Sequence, residues 1–260
     1  MRFTVLGPLT MEPGRLPSAP KQRQLLALLI LHAGTIVTVD DCVDELWGEQ
    51  PPVSAHSTLQ TYVMNLRKVL RSGNDGDRIR TRERGYALRL EPGELDLDEF
   101  RRLAGNGSAS FAAGDYREAA RLLGAALSLW RGPALVDVHA GPILRTQLEG
   151  LREAHLAVHD ERVEADLRIG HHRELLGELR VLVRRYPTHE NLCAQLAVAL
   201  YRSGRITEAL SALRQLRATL ADQFGLEPSR RLQSLEQAVL RADPALDLAV
   251  GHGPGYLLVS

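Results

Sequence analysis

The chain is poor in several residue types, and each shortage excludes something. Of 260 residues only two are cysteine, Cys42 and Cys193, far apart in sequence. That pattern predicts two buried free thiols in a reducing compartment rather than a disulfide framework. Aromatic residues make up 5% of the chain, so the core must be built mainly from Leu, Ala and Val. No stretch approaches the roughly 18 uninterrupted apolar residues of a membrane span. The opening "MRFTVLGPLTMEPG" also lacks the long apolar centre of a secretory signal. The expectation is a cytoplasmic protein that does not engage a membrane. The signatures G-x-S-x-G, C-x-x-C and H-E-x-x-H are missing, and the chain reads as a non-enzyme without a cofactor. Lysine is scarce too: Lys21 and Lys68 are the only two, so nearly every cation is arginine.

Formal net charge is zero, but the charge is not spread evenly. Residues 1–53 hold four bases and six acids, and residues 91–260 hold twenty and twenty-three. Residues 54–90 hold eight bases (Arg67, Lys68, Arg71, Arg78, Arg80, Arg82, Arg84, Arg89) against three acids, a local +5. For a polyanionic partner, this clustering matters more than the total.

The basic segment opens with "STLQTYVMNLRKVLR", residues 57–71. Leu59, Tyr62, Val63, Leu66, Val69 and Leu70 recur at helical spacing and predict an apolar stripe. His56, Ser57, Gln60, Thr61, Met64, Arg67, Lys68 and Arg71 share the opposite arc, which contains no acid. Gln can pair bidentately with adenine, Arg or Lys with guanine or phosphate, and Thr or Met can pack on a thymine methyl. Ser57, Gln60, Thr61 and Met64 are therefore assigned to base edges. Arg67, Lys68 and Arg71 are assigned mainly to phosphates, and His56 to a phosphate at the helix start. The bland alternative is a solvated helix face.

Two helices are expected before this one. "KQRQLLALLILHAG" lies between Pro20 and Gly34, and "TVDDCVDELWG" opens on Thr38 and Asp41 as a capping box and stops at Gly48. Ser54 offers an N-cap to the third helix. The short strand "RFTVLGPL" precedes them all. After the turn cluster "SGNDGD" comes "RIRTRERGYALRL", a β-hairpin with Arg80, Arg82 and Arg84 along one face and tip, and Gly85 allowing the tight turn. The arginines read either as DNA contacts or as a charged edge that discourages strand pairing. Tyr86 reads as a core aromatic of the hairpin whose hydroxyl could also meet a phosphate, and Trp47 as core. Three helices followed by a hairpin is the winged helix-turn-helix order.

From Leu97 onward the pattern is helical. "GHHRELLGEL" from Gly170 and "GRITEALSAL" from Gly204 lie 34 residues apart, with Leu175 matching Ala209 and Leu179 matching Leu213, a tetratricopeptide-like period. "GDYREAARLL" from Gly114 has the same shape, and "WRGPALVDVHAGP" reads as an irregular insertion. His155, His159, His171 and His172 have spacings that could hold a metal, but no supporting motif accompanies them, so no metal is expected.

The strings "RFTVLGPL", "KQRQLLALLILHAGTIVTVDDCVDELWG", "LQTYVMNLRKVLR", "TRERGYALRL", "LDLDEFRRLA", "LSLWRGPAL" and "GLEPSRRLQSLEQAVL" stand in the order seen in the Streptomyces antibiotic regulatory protein family, which the chain resembles over about residues 1–243. The resemblance implies a mainly α fold. An OmpR-like winged helix (1–92) would precede an all-α, tetratricopeptide-like bacterial transcriptional activation domain (93–243), with a flexible tail (244–260). It implies an activator of a secondary-metabolite gene cluster, binding promoter direct repeats as a dimer on double-stranded DNA and recruiting RNA polymerase holoenzyme. In such activators the loop before the recognition helix faces the polymerase, which nominates Glu49 and Gln50; the alternative is a plain connector. The chain departs from the family at "MEPGRLPSAP", short for the N-terminal sheet, and at Glu83-Arg84, where prolines are common. No G-x-x-x-x-G-K-[ST] occurs, so the chain resembles the small stand-alone members. The rival readings are a tetratricopeptide-type adaptor for a protein and a ligand-gated regulator.

Overall fold

The computed structural model describes residues 1–71 and 78–247; the expected turn cluster at 72–77 and the tail residues 248–260 lie outside the described residues. Two antiparallel strands come first, β1 (Arg2–Thr4) and β2 (Thr10–Glu12). They are followed by α1 (Pro20–Leu31), β3 (Val37–Thr38), α2 (Val39–Trp47), α3 (Ala55–Leu70), β4 (Ile79–Arg82) and β5 (Gly85–Leu88). The remaining helices are α4 (Asp96–Ala112), α5 (Tyr116–Ser128), α6 (Pro142–Arg168), α7 (Leu176–Arg185), α8 (Glu190–Arg202), α9 (Ile206–Phe224) and α10 (Arg230–Leu240), with a 3-10 turn at Pro244–Leu246.

The chain packs as two units, one of residues 1–105 and 125–157, the other of residues 106–124 and 158–260. In the first unit, α1 is buried along most of its length, from Gln24 to Ile30, so it forms the centre against which α2 and α3 lie. The capping box of α2 is present: the Asp41 N–H donates to Thr38 Oγ1 and the Thr38 N–H to Asp41 Oδ2. Ser54 stands at the start of α3 but makes no side-chain cap bond, contrary to the expectation from sequence.

The three-stranded sheet has the order β3-β5-β4. The two-residue strand β3 carries no sequence signal of its own. It exists because Val37 and Thr38 pair with Tyr86 and Gly85. This pairing also corrects the reason for Gly85. Its φ is not in the left-handed region, and the tight turn is made by Glu83 and Arg84 between the paired Arg82 and Gly85. A Cβ on Gly85 would sit 1.9 Å from the Val37 carbonyl oxygen, so glycine is required for close approach of β3.

The insertion "WRGPALVDVHAGP" belongs to the first unit. The Arg131 N–H donates to the Leu6 carbonyl (2.8 Å), the Leu135 N–H to the Gly7 carbonyl (2.7 Å), and the Leu9 N–H to Asp137 Oδ1 (2.7 Å). Asp96 at the start of α4 accepts from the Val5 and Leu6 N–H groups and pairs with Arg131. The insertion thus forms a strap across the β1–β2 turn. A second buried carboxylate, Glu45 on α2, accepts from Gln24 Nε2 and from the N–H groups of Gly141, Ile143 and Leu144, so it caps the N-terminus of α6 from outside that helix.

In the second unit the helices follow the repeat read from sequence. The turns at Gly114, Gly170 and Gly204 all have positive φ, between α4 and α5, α6 and α7, and α8 and α9 respectively. The matched positions Leu175 and Ala209, and Leu179 and Leu213, are all buried. The first residues of the expected tail are docked: Leu246 is buried and its carbonyl accepts from Arg202 Nε at 2.7 Å. The fold is mainly α, a winged helix with small sheets and a tetratricopeptide-like helical half.

Candidate nucleic-acid interface

Helix α3 presents the two faces its sequence encodes. Ala55, Leu59, Val63, Leu66 and Leu70 are buried, with Tyr62 and Val69 half-buried beside them. His56, Ser57, Gln60, Thr61, Met64, Lys68 and Arg71 are all exposed. The apolar stripe is seated by an aromatic stack: Tyr62 lies 6.3 Å from Trp47, centroid to centroid, at an interplanar angle of 17°. Lys21 lies over the Trp47 ring at 5.4 Å and donates to the Leu46 carbonyl. Trp47, read from sequence as core, is half-buried and joins α1, α2 and α3.

On the exposed face, the hydroxyls of Ser57 and Thr61 donate back to the carbonyls of Ser54 and Ser57, both at 3.0 Å, leaving their lone pairs outward. Gln60 and Met64 lie one turn apart in the same arc, so an amide and a flexible thioether face outward together. Among the described residues, Lys68 forms no ion pair.

Arg67 is placed differently from its neighbours. It is half-buried, its Nε donates to the Ile79 carbonyl (3.0 Å), and its Nη2 donates to Thr81 Oγ1 (2.7 Å). The wing itself exposes Arg80, Arg82, Glu83 and Arg84, while Ile79 and Leu88 anchor its strands in the core. Tyr86 is buried, at 7% exposure, opposite Thr81 in the ladder. Burial pushes its hydroxyl above the ordinary phenol range, against the opposing effect of Arg67. Its position makes it a core aromatic of the wing.

The stem of the wing has its own anchor. Arg78 donates to Glu94 Oε2 at 2.6 Å, and Glu94 also accepts from the Glu91 N–H and the terminal ammonium of Met1. Burial opposes ionisation of Glu94, but these bonds outweigh it and hold its carboxyl down at about 2.

Glu49 and Gln50 are exposed in the connection between α2 and α3, together with Pro51, Pro52 and Val53. The four histidines serve separate local roles: His155 stacks on Trp130 at 4.1 Å, His159 meets Glu178, His171 meets Asp166, and burial lowers the pKa of His172. Cys42 and Cys193 are both free and buried, and burial pushes each thiol up to about 12, which makes them inert packing residues. None of the helices is long and apolar enough to cross a membrane, among the described residues.

Sequence reasoning missed four participants: Glu45, Asp96, β3 and the strap. Each acts through a distant partner, as in the contacts between Val5 and Asp96, between Glu45 and Gly141 or between Thr38 and Gly85, and no local pattern marks such pairs.

An exposed, acid-free helix face preceded by two packed helices and followed by an arginine hairpin defines a winged-helix transcription regulator. The family described as "Transcriptional regulatory protein, C terminal" matches residues 14–88, and that described as "Bacterial transcriptional activator domain" matches residues 95–240. The chain is 46% identical over 257 residues to the regulatory protein DnrI of Streptomyces peucetius, covering 95% of this chain and 94% of DnrI. It is 39% identical to the regulatory protein AfsR of Streptomyces griseus, over 95% of this chain but 25% of AfsR. The solved structure of Mycobacterium tuberculosis EmbR, in complex with a low affinity phosphopeptide, matches with a TM-score of 0.87 at 35% identity, covering 94% of this chain and 65% of that one. The chain belongs to the Streptomyces antibiotic regulatory protein family and is a transcriptional regulator.

Proposed function

We infer that the protein is a sequence-specific DNA-binding activator of an antibiotic or other secondary-metabolite gene cluster. The observation that carries this reading is the outward arc of α3, in which Gln60, Thr61, Met64 and Lys68 are exposed together with no acid among them. In the proposed complex α3 enters the major groove with its N-terminal half deepest. Gln60 reads an adenine edge, Thr61 and Met64 pack on thymine methyls, and His56, Ser57, Lys68 and Arg71 hold backbone or base edges. Arg80, Arg82 and Arg84 bind phosphates or the adjacent minor groove. Two protomers bind a direct repeat head to tail, and Glu49 and Gln50 face RNA polymerase. The proposed domains are 1–92 for DNA, 93–243 for activation and a tail from 244. DnrI, similar along nearly its whole length, supports an antibiotic-cluster role.

The test is binding of the full chain to promoter fragments from its own gene neighbourhood across a salt series, beside Gln60→Ala. The reading expects one fragment to be selected over random duplex, with affinity falling steeply as salt rises and selection weakened in Gln60→Ala. Equal affinity for every duplex, or none, would sink it.

A further inference from the structure

Arg67 lies on the basic arc of the recognition helix, yet its guanidinium is turned toward the wing. Nε meets the Ile79 carbonyl at 3.0 Å and Nη2 meets Thr81 Oγ1 at 2.7 Å. Both acceptors belong to β4, the edge strand that carries Arg80 and Arg82. Residues two apart on a strand face the same side, so Ile79 and Thr81 offer a carbonyl and a hydroxyl at a spacing that a planar two-donor fork can span. The edge position matters, because among the described residues β4 pairs with a strand on one side only, and α3 packs against it.

We propose that Arg67 is the residue that sets the position of the wing on the recognition helix, so that Arg80, Arg82 and Arg84 meet the DNA backbone at a fixed distance from Gln60 and Met64. It is a positioning residue, acting through β4 rather than through a phosphate of its own. The proposal rests on the DNA-binding reading above and assigns Arg67 a role different from its neighbours Lys68 and Arg71. Lysine cannot replace it, since a single ammonium on a flexible stem cannot hold both acceptors in one geometry.

That difference gives a charge-conserving test. Binding of the full chain to the promoter fragment selected by the wild type is measured across salt for wild type, Arg67→Lys, Arg67→Ala, the wing variant Arg82→Ala and the double variant Arg67→Lys/Arg82→Ala. A positioning role predicts that Arg67→Lys loses about tenfold or more in affinity although no charge is removed. The slope of log affinity against log salt should also fall, by about two contacts' worth, because the wing is no longer held on the backbone. Arg82→Ala should then cost little in the Arg67→Lys background. A second route leaves Arg67 intact: Thr81→Val removes only the hydroxyl acceptor and should weaken binding in the same direction, less than additively with Arg67→Lys. Far-ultraviolet circular dichroism and melting temperature confirm that each variant is folded.

If Arg67→Lys keeps affinity and slope while Arg67→Ala loses about one contact's worth of slope, Arg67 is itself a phosphate ligand and the proposal is overturned. Strict additivity of Arg67→Lys with both Arg82→Ala and Thr81→Val overturns it as well. A wild type that selects no fragment removes the DNA-binding reading, and this role with it; a wild type that selects one, with an indifferent Arg67→Lys, removes this role alone.

Discussion

The arginines of the second unit and those of the wing are the same side chain put to opposite uses. In the helices, Arg162 bonds Asp166 and Glu178, Arg168 bonds Glu164, Arg205 bonds Glu208 and Arg217 bonds Glu236. Several of these acids stand three or four residues away on the same helix, where the helical repeat brings them within reach. On the wing, Arg80, Arg82 and Arg84 are exposed, and among the described residues no acid forms an ion pair with their guanidinium groups. Charge becomes available to a partner where no local acid pairs with it, and the total number of cations decides little.

Four variants would break or sharpen that contrast. The largest effect is expected from removing Arg80, Arg82 and Arg84 together. Affinity for duplex DNA should fall roughly a hundredfold and the salt slope by about three contacts' worth. The melting temperature should hardly move, because these side chains stabilise nothing in the free protein. Titrations at several salt concentrations check both. Arg162→Ala should do the reverse. It leaves two carboxylates that share a half-buried guanidinium with only a histidine partner each, so about 1–2 kcal/mol of stability should be lost in urea unfolding while DNA affinity stays as it was.

Gln60→Ala should remove about 1 kcal/mol of discrimination between promoter and random duplex, read as the ratio of the two affinities, with no loss of stability. Arg205→Ala breaks an exposed, solvent-screened pair and should leave stability in urea unfolding unchanged. A measurable drop in DNA binding from Arg205→Ala would show that the contrast between the two sets of arginines is misdrawn.

The stem of the wing adds a pH dependence. The Glu94 carboxyl is held at about 2 against an ordinary 4.5, so its contribution to stability is complete above pH 4.5 and is lost as pH falls from there toward 2. Acid titrations of wild type and Glu94→Gln should diverge above that window and converge below it.

Much of the interface was legible in the sequence because its signals are local. The buried and exposed arcs of α3, the capping box at Thr38 and Asp41 and the turn glycines follow from residue spacing along one element. The 34-residue repeat needed only the distance from Gly170 to Gly204. The reasons for several residues were not legible. Gly85 looks like a turn glycine and is instead a close-approach glycine under β3. Tyr86 is the core aromatic that its place in the hairpin suggests, but Arg67 sits in a pattern of potential DNA contacts and packing turned it toward β4. Ser54 has the right chemistry for a cap and does not make the bond.

The sequence by itself determined which residues share a helix face, where helices start and stop, and which segment is basic, since these depend on backbone periodicity and composition. Only the tertiary structure decided which members of a shared face are spent internally. Glu45 was committed to the N-terminus of α6, Asp96 to the backbone of Val5 and Leu6, and Arg67 to the wing strand. The physical reason is that buried N–H and C=O groups must find partners, and those partners come from wherever the fold brings a side chain within about 3 Å, however far away it stands in the chain.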